Sequence, residues 1–358
     1  MPPASSGRIF HTGMRRARGW YVTLLLLILW SASTGASRSR QSASVPPVPS
    51  FGEWLQSVRA DALARGIKPA TLDIALTGLE PVPTVLDRDR QQAEFTLDLS
   101  AYLRRRLTAE TVRTARRRLK EHASLTQRVA AAYGVEPRVQ VAVWGLESNF
   151  GRFSGVRPVI PSLATLAYDD RRRGLFRGEL LDALTILDAG DMLYDDLKGS
   201  WAGAMGQTQF LPSSYLAWAV DFDKDGRRNI WSSEPDIFAS IANYLRGHGW
   251  VKGAKWGYAV TVPARATGRI SEVPLRASGC RAVRDLSEPR SLREWKALGV
   301  VPARGGASLP SSVRPASLLR IDNKAWLVTS NYEALLGYNC AHTYALSVAT
   351  LADRLANR

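Results

Sequence analysis

The segment VQVAVWGLESNFG, Val139 to Gly151, limits the fold more than any other part of the chain. Pro137 suits a first helical position and Gly151 suits a residue just past a helix end, so the spacing predicts a helix between them. Val139, Val143, Trp144 and Leu146 make it a segment built to be buried. Its last turn nevertheless carries a carboxylate, Glu147. Desolvation and the negative end of the helix dipole both disfavour the ionised form there, which is how a carboxylic acid is kept protonated for general-acid chemistry. A Glu that simply reaches solvent from a helix end is the alternative reading.

The 358 residues, 45% of them hydrophobic, supply enough apolar material for a large core in one or two domains. From Phe51 to about Trp250, apolar residues recur at three and four spacing with Arg and Glu between them and short Gly or Pro breaks, a helical texture. It then changes to short segments such as Ala259–Val262 and Ser317–Arg320, separated by Gly, Pro and Ser clusters, which read as strands. A last helix is expected from about Tyr344 to Leu355. The fold class is therefore α+β and mainly α: a helical region over 51–257, a small β-containing module over 258–330, and a C-terminal segment, 331–358, that returns to the helical body.

At the N-terminus, Arg15-Arg16-Ala17-Arg18 precedes the apolar run Tyr21–Trp30 and small residues ending Thr34-Gly35-Ala36-Ser37, the order of a secretory signal over 1–36. The run is about half the ~20 residues that a spanning helix needs. Export to the periplasm, with no transmembrane segment left after signal removal, is the expectation; an uncleaved anchor is the alternative. Residues 37–50, rich in Ser, Arg and Pro, read as a linker. In an oxidising compartment Cys280 and Cys340 form either a disulfide or two separate buried thiols. A net charge of +16 favours polyanions. The runs Arg104–Arg106 and Arg116–Arg118 sit on helical patterns without a nucleic-acid motif, so a solvated helix face or an anionic envelope polymer is expected, and no nucleic acid.

His11, His122, His248 and His342 are too scattered for a His-rich metal motif, and no phosphate-binding loop, dinucleotide fingerprint or G-x-S-x-G elbow occurs. KGSWAGAMGQTQFLPSSY, Lys198 to Tyr215, sets small residues beside Ser200, Gln207 and Gln209. Backbone can then approach a ligand closely while amides and hydroxyls bind it, a composition that suits sugars. DFDKDGRRNIW puts Asp221, Asp223 and Asp225 at positions one, three and five of an EF-hand-like loop over 221–232, with Gly226 at six and the Arg227 carbonyl at seven. Position twelve is Ser232, so Glu234 or Asp236 would have to supply the missing carboxylate. A structural calcium clamp ahead of the helix carrying Tyr244 is one reading; an Asp-rich turn capping its own backbone is the other.

Together, GLESNFGR, GSWAGAMGQTQFLPSSY and DFDKDGRRNIW…IANYLRGHGW resemble the lytic murein transglycosylase B family in order, spacing and identity. The resemblance runs from about Phe51 to the C-terminus and takes in DRDRQQAEFTLDLSAYL (Asp87–Leu103), SLATLAYDDRRRGLF (Ser162–Phe176) and SNYEALLGYNCAHTYALSVATLADRL. It implies a lysozyme-like helical fold and cleavage, without water, of the β-1,4 bond between N-acetylmuramic acid and N-acetylglucosamine in peptidoglycan. The muramyl 6-hydroxyl attacks instead, leaving 1,6-anhydromuramyl ends, and no cofactor is required for the chemistry. Most glycosidases use two carboxylates. The family uses one Glu as acid and then base, and Glu147 matches it.

By the same resemblance, Ser200 and Asn339 match positions that contact the muramyl sugar near the scissile bond. Gln209, Tyr102, Tyr244, Tyr338 and Tyr344 match positions lining the groove, and Arg171 and Arg172 match basic positions that meet peptide or lactyl carboxylates. After Tyr338-Asn339 the chain reads Cys340-Ala341-His342, a departure at Ala341, where a polar residue such as Ser is expected. The implied partner is the peptidoglycan glycan strand, met by a monomer working alone or beside cell-wall synthesis or division complexes. The rival reading is a non-catalytic peptidoglycan-binding or calcium-binding envelope scaffold, which replacement of Glu147 would favour; Glu147 is present.

Overall fold

The computed structural model describes residues 49–90, 98–169, 173–306 and 308–356. The secretory signal, the linker as far as Val48, and Arg171 and Arg172 lie outside the described residues. Among the described residues no helix is long and apolar enough to cross a membrane.

The helix Pro137–Ser148 lies at the centre, with every side chain from Val139 to Leu146 buried. Four helices pack on it: Ala109–Glu121, Ala123–Tyr133, Glu234–Gly247 and the C-terminal His342–Ala356. A helix apolar on nearly every side has no face to offer water and is stable only when neighbours enclose it. The side-chain N–H groups of its one buried polar residue before the last turn, Gln140, are satisfied, donating to the carbonyls of Thr126 at 3.1 Å and Val135 at 2.8 Å. Ala109–Glu121 buries Val112 and Ala115 and turns Arg113, Arg116, Arg117 and Lys120 to solvent, so its share of the basic charge is a solvated helix face.

A second apolar cluster is built by Phe51–Ala64, Pro69–Leu76 and Pro83–Arg90 against Val159–Tyr168 and Arg173–Ala189. Phe51–Ala64 begins with a reciprocal capping box, in which Ser50 accepts from the Glu53 N–H and Glu53 accepts from the Ser50 N–H.

A third cluster belongs to the small module. Its antiparallel sheet runs in the order Arg290–Ser291, Pro315–Ile321, Lys324–Val328, Gly257–Thr261, Val301–Pro302. The central hairpin pairs Ile321 with Lys324 across a two-residue turn whose first residue, Asp322, takes a left-handed φ of 53°. Leu318, Leu327 and Val260 turn to one side of this sheet and pack with Trp295 and Leu292. From the last strand the chain returns through Ser330–Tyr338, which packs on Glu234–Gly247, to His342–Ala356, which packs on the central helix.

Candidate active site

The end of the central helix is set by three consecutive left-handed residues, Asn149 (φ 50°), Phe150 (φ 57°) and Gly151 (φ 81°). The helix therefore stops at Ser148, and Asn149, not Gly151, is the residue just past it. The buried Ser148 hydroxyl fixes this turn, donating to the Trp144 carbonyl at 2.7 Å and accepting from the Gly151 N–H at 2.9 Å. Arg106 donates to the Leu146 carbonyl at 2.9 Å, placing a cation at the negative end of the helix. Phe150 folds back under the helix onto Gly145, where an added Cβ would collide with its ring. Glu147 is left half-buried, the only residue between Val139 and Ser148 with appreciable exposure.

The facing wall comes from Gly199–Phe210. Gly206 adopts φ 62° with its Cα against the Ile230 carbonyl, an approach that leaves no room for a Cβ. The next residue is the tether. The Gln207 Oε1 accepts from the Trp144 indole N–H at 2.7 Å, and its Nε2 donates to the Trp231 carbonyl at 2.8 Å. Three segments distant in sequence are thereby fastened one turn before Glu147. Ser200 organises its own turn, accepting from the N–H groups of Ala202 at 3.3 Å and Ala204 at 3.1 Å. Gln209, at a left-handed φ of 52°, donates to the Gly206 carbonyl at 2.9 Å.

Aromatic side chains join this wall to the helix Ser330–Tyr338. Tyr338 donates to the Thr208 carbonyl at 2.7 Å, and Tyr244 to the Gly337 carbonyl at 2.7 Å. Ring centroids lie 5.3 Å apart for Phe210 and Tyr244, 4.7 Å for Tyr244 and Tyr338, and 6.2 Å for Tyr338 and Tyr344. His248 stacks on Tyr244 at 4.0 Å. Tyr338 touches both large apolar clusters, so the site lies on their seam.

The phenols of Tyr344 and Tyr338 are held well above their ordinary pKa, by burial first and then by the charge of Glu147. Glu147 acts on the Tyr344 hydroxyl through its charge and through a side-chain hydrogen bond. Burial pushes Tyr244 up to about 12. All three phenols are therefore neutral near pH 7, able to donate a hydrogen bond but not to act as bases.

Of the expected residues, the structure gathers Glu147, Tyr338 and Tyr344 into one electrostatic group, with the Tyr244 ring tilted against Tyr338 and Gln209 on the adjoining loop. Ser200 stands at the far end of that loop. Tyr102 is half-buried on Leu99–Arg106, and Asn339 is exposed at the residue capping Ser330–Tyr338. Arg106, Phe210 and His248 also belong to the assembly, and so does Gln207, whose amide is bonded at both ends to the protein and is not free for a sugar. The partners of Gln207, Arg106 and Phe210 lie tens of residues away, where no local pattern marks them, while His248 stacks on Tyr244 one helical turn before it.

With this geometry in view, a family model for the transglycosylase SLT domain matches residues 50–353. The chain belongs to the transglycosylase SLT family. It is 36% identical over 231 residues to membrane-bound lytic murein transglycosylase B of Escherichia coli K12, an alignment covering 63% of this chain and 58% of that relative. The chain thus spans little more than half the length of that protein. It is also similar to SltB3 from Pseudomonas aeruginosa, solved in complex with NAG-anhNAM-pentapeptide. The TM-score is 0.76 at 42% identity, covering 86% of this chain and 80% of that one. The Escherichia coli lytic transglycosylase Slt35 in complex with calcium matches at TM-score 0.70 and 28% identity, covering 86% of this chain and 93% of that one. The fold is that of the lysozyme-like lytic transglycosylases, enzymes that cleave peptidoglycan glycan strands.

In this family member the acidic loop is organised by Asp236. The carboxylates of Asp221, Asp223 and Asp236 bring oxygen atoms within 4.8 Å of one another. Asp236 is fully buried, accepts from the N–H groups of Phe222 at 2.7 Å and Asn229 at 2.8 Å, and has its pKa raised by burial. Asp225 falls outside the converging group, its Oδ1 accepting the Arg227 N–H at 2.8 Å, and Glu234 is turned toward His122 at 3.1 Å.

Proposed function

We propose that this chain is an exported, periplasmic peptidoglycan lytic transglycosylase. On this reading it cleaves the β-1,4 bond between N-acetylmuramic acid and N-acetylglucosamine and forms 1,6-anhydromuramyl ends. The observation that carries the reading is Glu147: a single half-buried carboxylate at the end of a buried helix, with the neutral phenols of Tyr338 and Tyr344 in its field. Glu147 first gives its proton to the glycosidic oxygen as the bond breaks, then takes the proton of the muramyl 6-hydroxyl as that oxygen closes on C1. A residue that acts as acid and then base needs a fixed position and restricted water more than a second carboxylate. The Gln207 tether, the Ser148 turn and the Arg106 contact supply the first. The aromatic wall supplies the second.

Support for the substrate comes from SltB3, which was solved with both NAG-NAM-pentapeptide and NAG-anhNAM-pentapeptide, a muramyl chain and its anhydro counterpart. Asn339, Ser200, Gln209 and Tyr102 are assigned to sugar contacts, and the basic stretch with Arg171 and Arg172 to carboxylates of the substrate.

The acidic loop fits a hard divalent cation, since three carboxylates converge there, offset by backbone N–H groups and the Ser233 hydroxyl. Asp221, Asp223 and Asp236 would hold calcium, with a structural role at the start of the helix bearing Tyr244 and none in the chemistry. To test the assignment, turnover and sacculus binding are compared for wild type and Glu147→Gln. Loss of turnover with binding retained supports it, and retained turnover overturns it.

A further inference from the structure

The small module is fastened to the helix Ser330–Tyr338 and the loop after it at three successive points. Arg276 makes a bidentate pair with Glu333, at 2.8 and 2.7 Å. Cys280 is disulfide-bonded to Cys340, 60 residues on, with Cα atoms 6.3 Å apart. Asp285 faces the His342 ring at 3.7 Å, and His342 also meets the Tyr332 hydroxyl at 3.0 Å. The three module residues lie on one short stretch, closed on itself by the Arg276 N–H to the Leu286 carbonyl at 2.9 Å. Their partners flank Tyr338 and Asn339 on both sides.

The disulfide contributes nothing to the core, because both cysteines are exposed. What it adds is restraint on Tyr338 to His342, in which Tyr338 closes the aromatic wall and Asn339 stands free to meet a ligand. The N–H of Ala282 also points at Cys340 Sγ, 3.4 Å away, seating the bridge on a short helix, Arg281–Arg284, that packs on Ser330–Tyr338.

We infer that the Arg276–Asp285 stretch is a bracket whose Cys280–Cys340 bridge positions Asn339, beside the Tyr338 already held by the Thr208 carbonyl, for the glycan strand. Cys280, Cys340 and Arg276 are positioning residues, not catalytic ones. The inference deepens the proposed function and rests on Tyr338 and Asn339 being part of the glycan site.

The test compares wild type with the Cys280→Ser/Cys340→Ser variant at a temperature well below unfolding, each with Asn339 intact or replaced by Ala. Turnover is followed by kcat and KM on soluble peptidoglycan strands. Strand affinity is measured separately in the Glu147→Gln background, where no turnover is needed. Opening the bridge should lower kcat/KM and strand affinity about tenfold, the scale of a small misplacement of a contact residue. In the Asn339→Ala background the same opening should change them less than about twofold, because the residue being positioned is gone. Wild type reduced with a phosphine should match the Ser variant and recover on reoxidation. Unchanged kcat/KM and affinity after opening would overturn the inference, and so would a loss of equal size in both Asn339 backgrounds, which marks a merely structural bridge. Failure of oxidised wild type to form anhydromuramyl products would strike the proposed function, while the binding arm still decides the bracket.

Discussion

Replacing Gln207 should show how much of the site's rigidity depends on one side chain. Gln207→Leu keeps most of the volume but removes an acceptor from the Trp144 indole N–H and a donor from the Trp231 carbonyl, bonds of 2.7 and 2.8 Å. Trp144 is 2% exposed, so its orphaned N–H costs the penalty of a buried unsatisfied donor, about 1–3 kcal/mol. The Trp231 carbonyl sits in a half-buried residue where water can serve it, and its loss costs about 1 kcal/mol. The sum is about 2–4 kcal/mol. With an unfolding entropy of about 2.1 cal/mol/K per residue, a body of roughly 300 residues, Pro49–Arg358, unfolds with about 0.6 kcal/mol/K. Tm should therefore fall by about 3–6 °C in thermal denaturation followed by circular dichroism. Because Trp144 lies one turn before Glu147, kcat should also fall, by about tenfold, with the sacculus affinity nearly unchanged. A Gln207→Leu protein with wild-type Tm and kcat would refute the tether argument, since the volume is kept and only the hydrogen bonds are lost.

Further expectations follow from other parts of the molecule. Gly145→Ala drives a methyl into the Phe150 ring and should cost about 1–3 kcal/mol, with part recovered in Gly145→Ala/Phe150→Leu; equal Tm values for all three proteins would contradict the packing argument. Calcium at a hundred times its Kd should stabilise the wild type by about 2.7 kcal/mol, magnesium should do less, and Asp221→Asn should abolish the gain. No calcium effect on Tm would leave the loop as a self-capped turn. Burial depresses the pKa of His342 below 6.5, so the folded state binds fewer protons than the unfolded one as pH falls below about that value. Its contribution is present above pH 6.5 and is lost on acidification down to the folded-state pKa. The decline of Tm over that window should be shallower in His342→Gln.

What was legible in the sequence is what local chemistry writes. The central helix follows from its own run of apolar residues and its N-terminal Pro137, and the change from helical to strand texture after Trp250 follows from side-chain period and turn residues. The end of the helix was misplaced by two residues because Asn149 and Phe150 both take left-handed conformations, which Ser148 imposes through a contact that no propensity describes. The cysteine pairing stayed open because spacing alone cannot choose between a bridge and two thiols; the fold brings the Cα atoms within 6.3 Å. Gln207 was seen only as part of a sugar-suited composition. Its partners stand 63 residues before it and 24 after it, so its role exists only in three dimensions. In the acidic loop the converging carboxylate is Asp236, four places beyond the EF-hand position, because Ser232 and Glu234 are spent on other contacts.

The central claim is that Glu147 performs cleavage without water. Mass spectrometry of the soluble products released from purified peptidoglycan tests it most directly. The wild-type protein should release 1,6-anhydromuramyl ends and Glu147→Gln none. Reducing-end muramyl products, or anhydromuramyl products undiminished in Glu147→Gln, would contradict it.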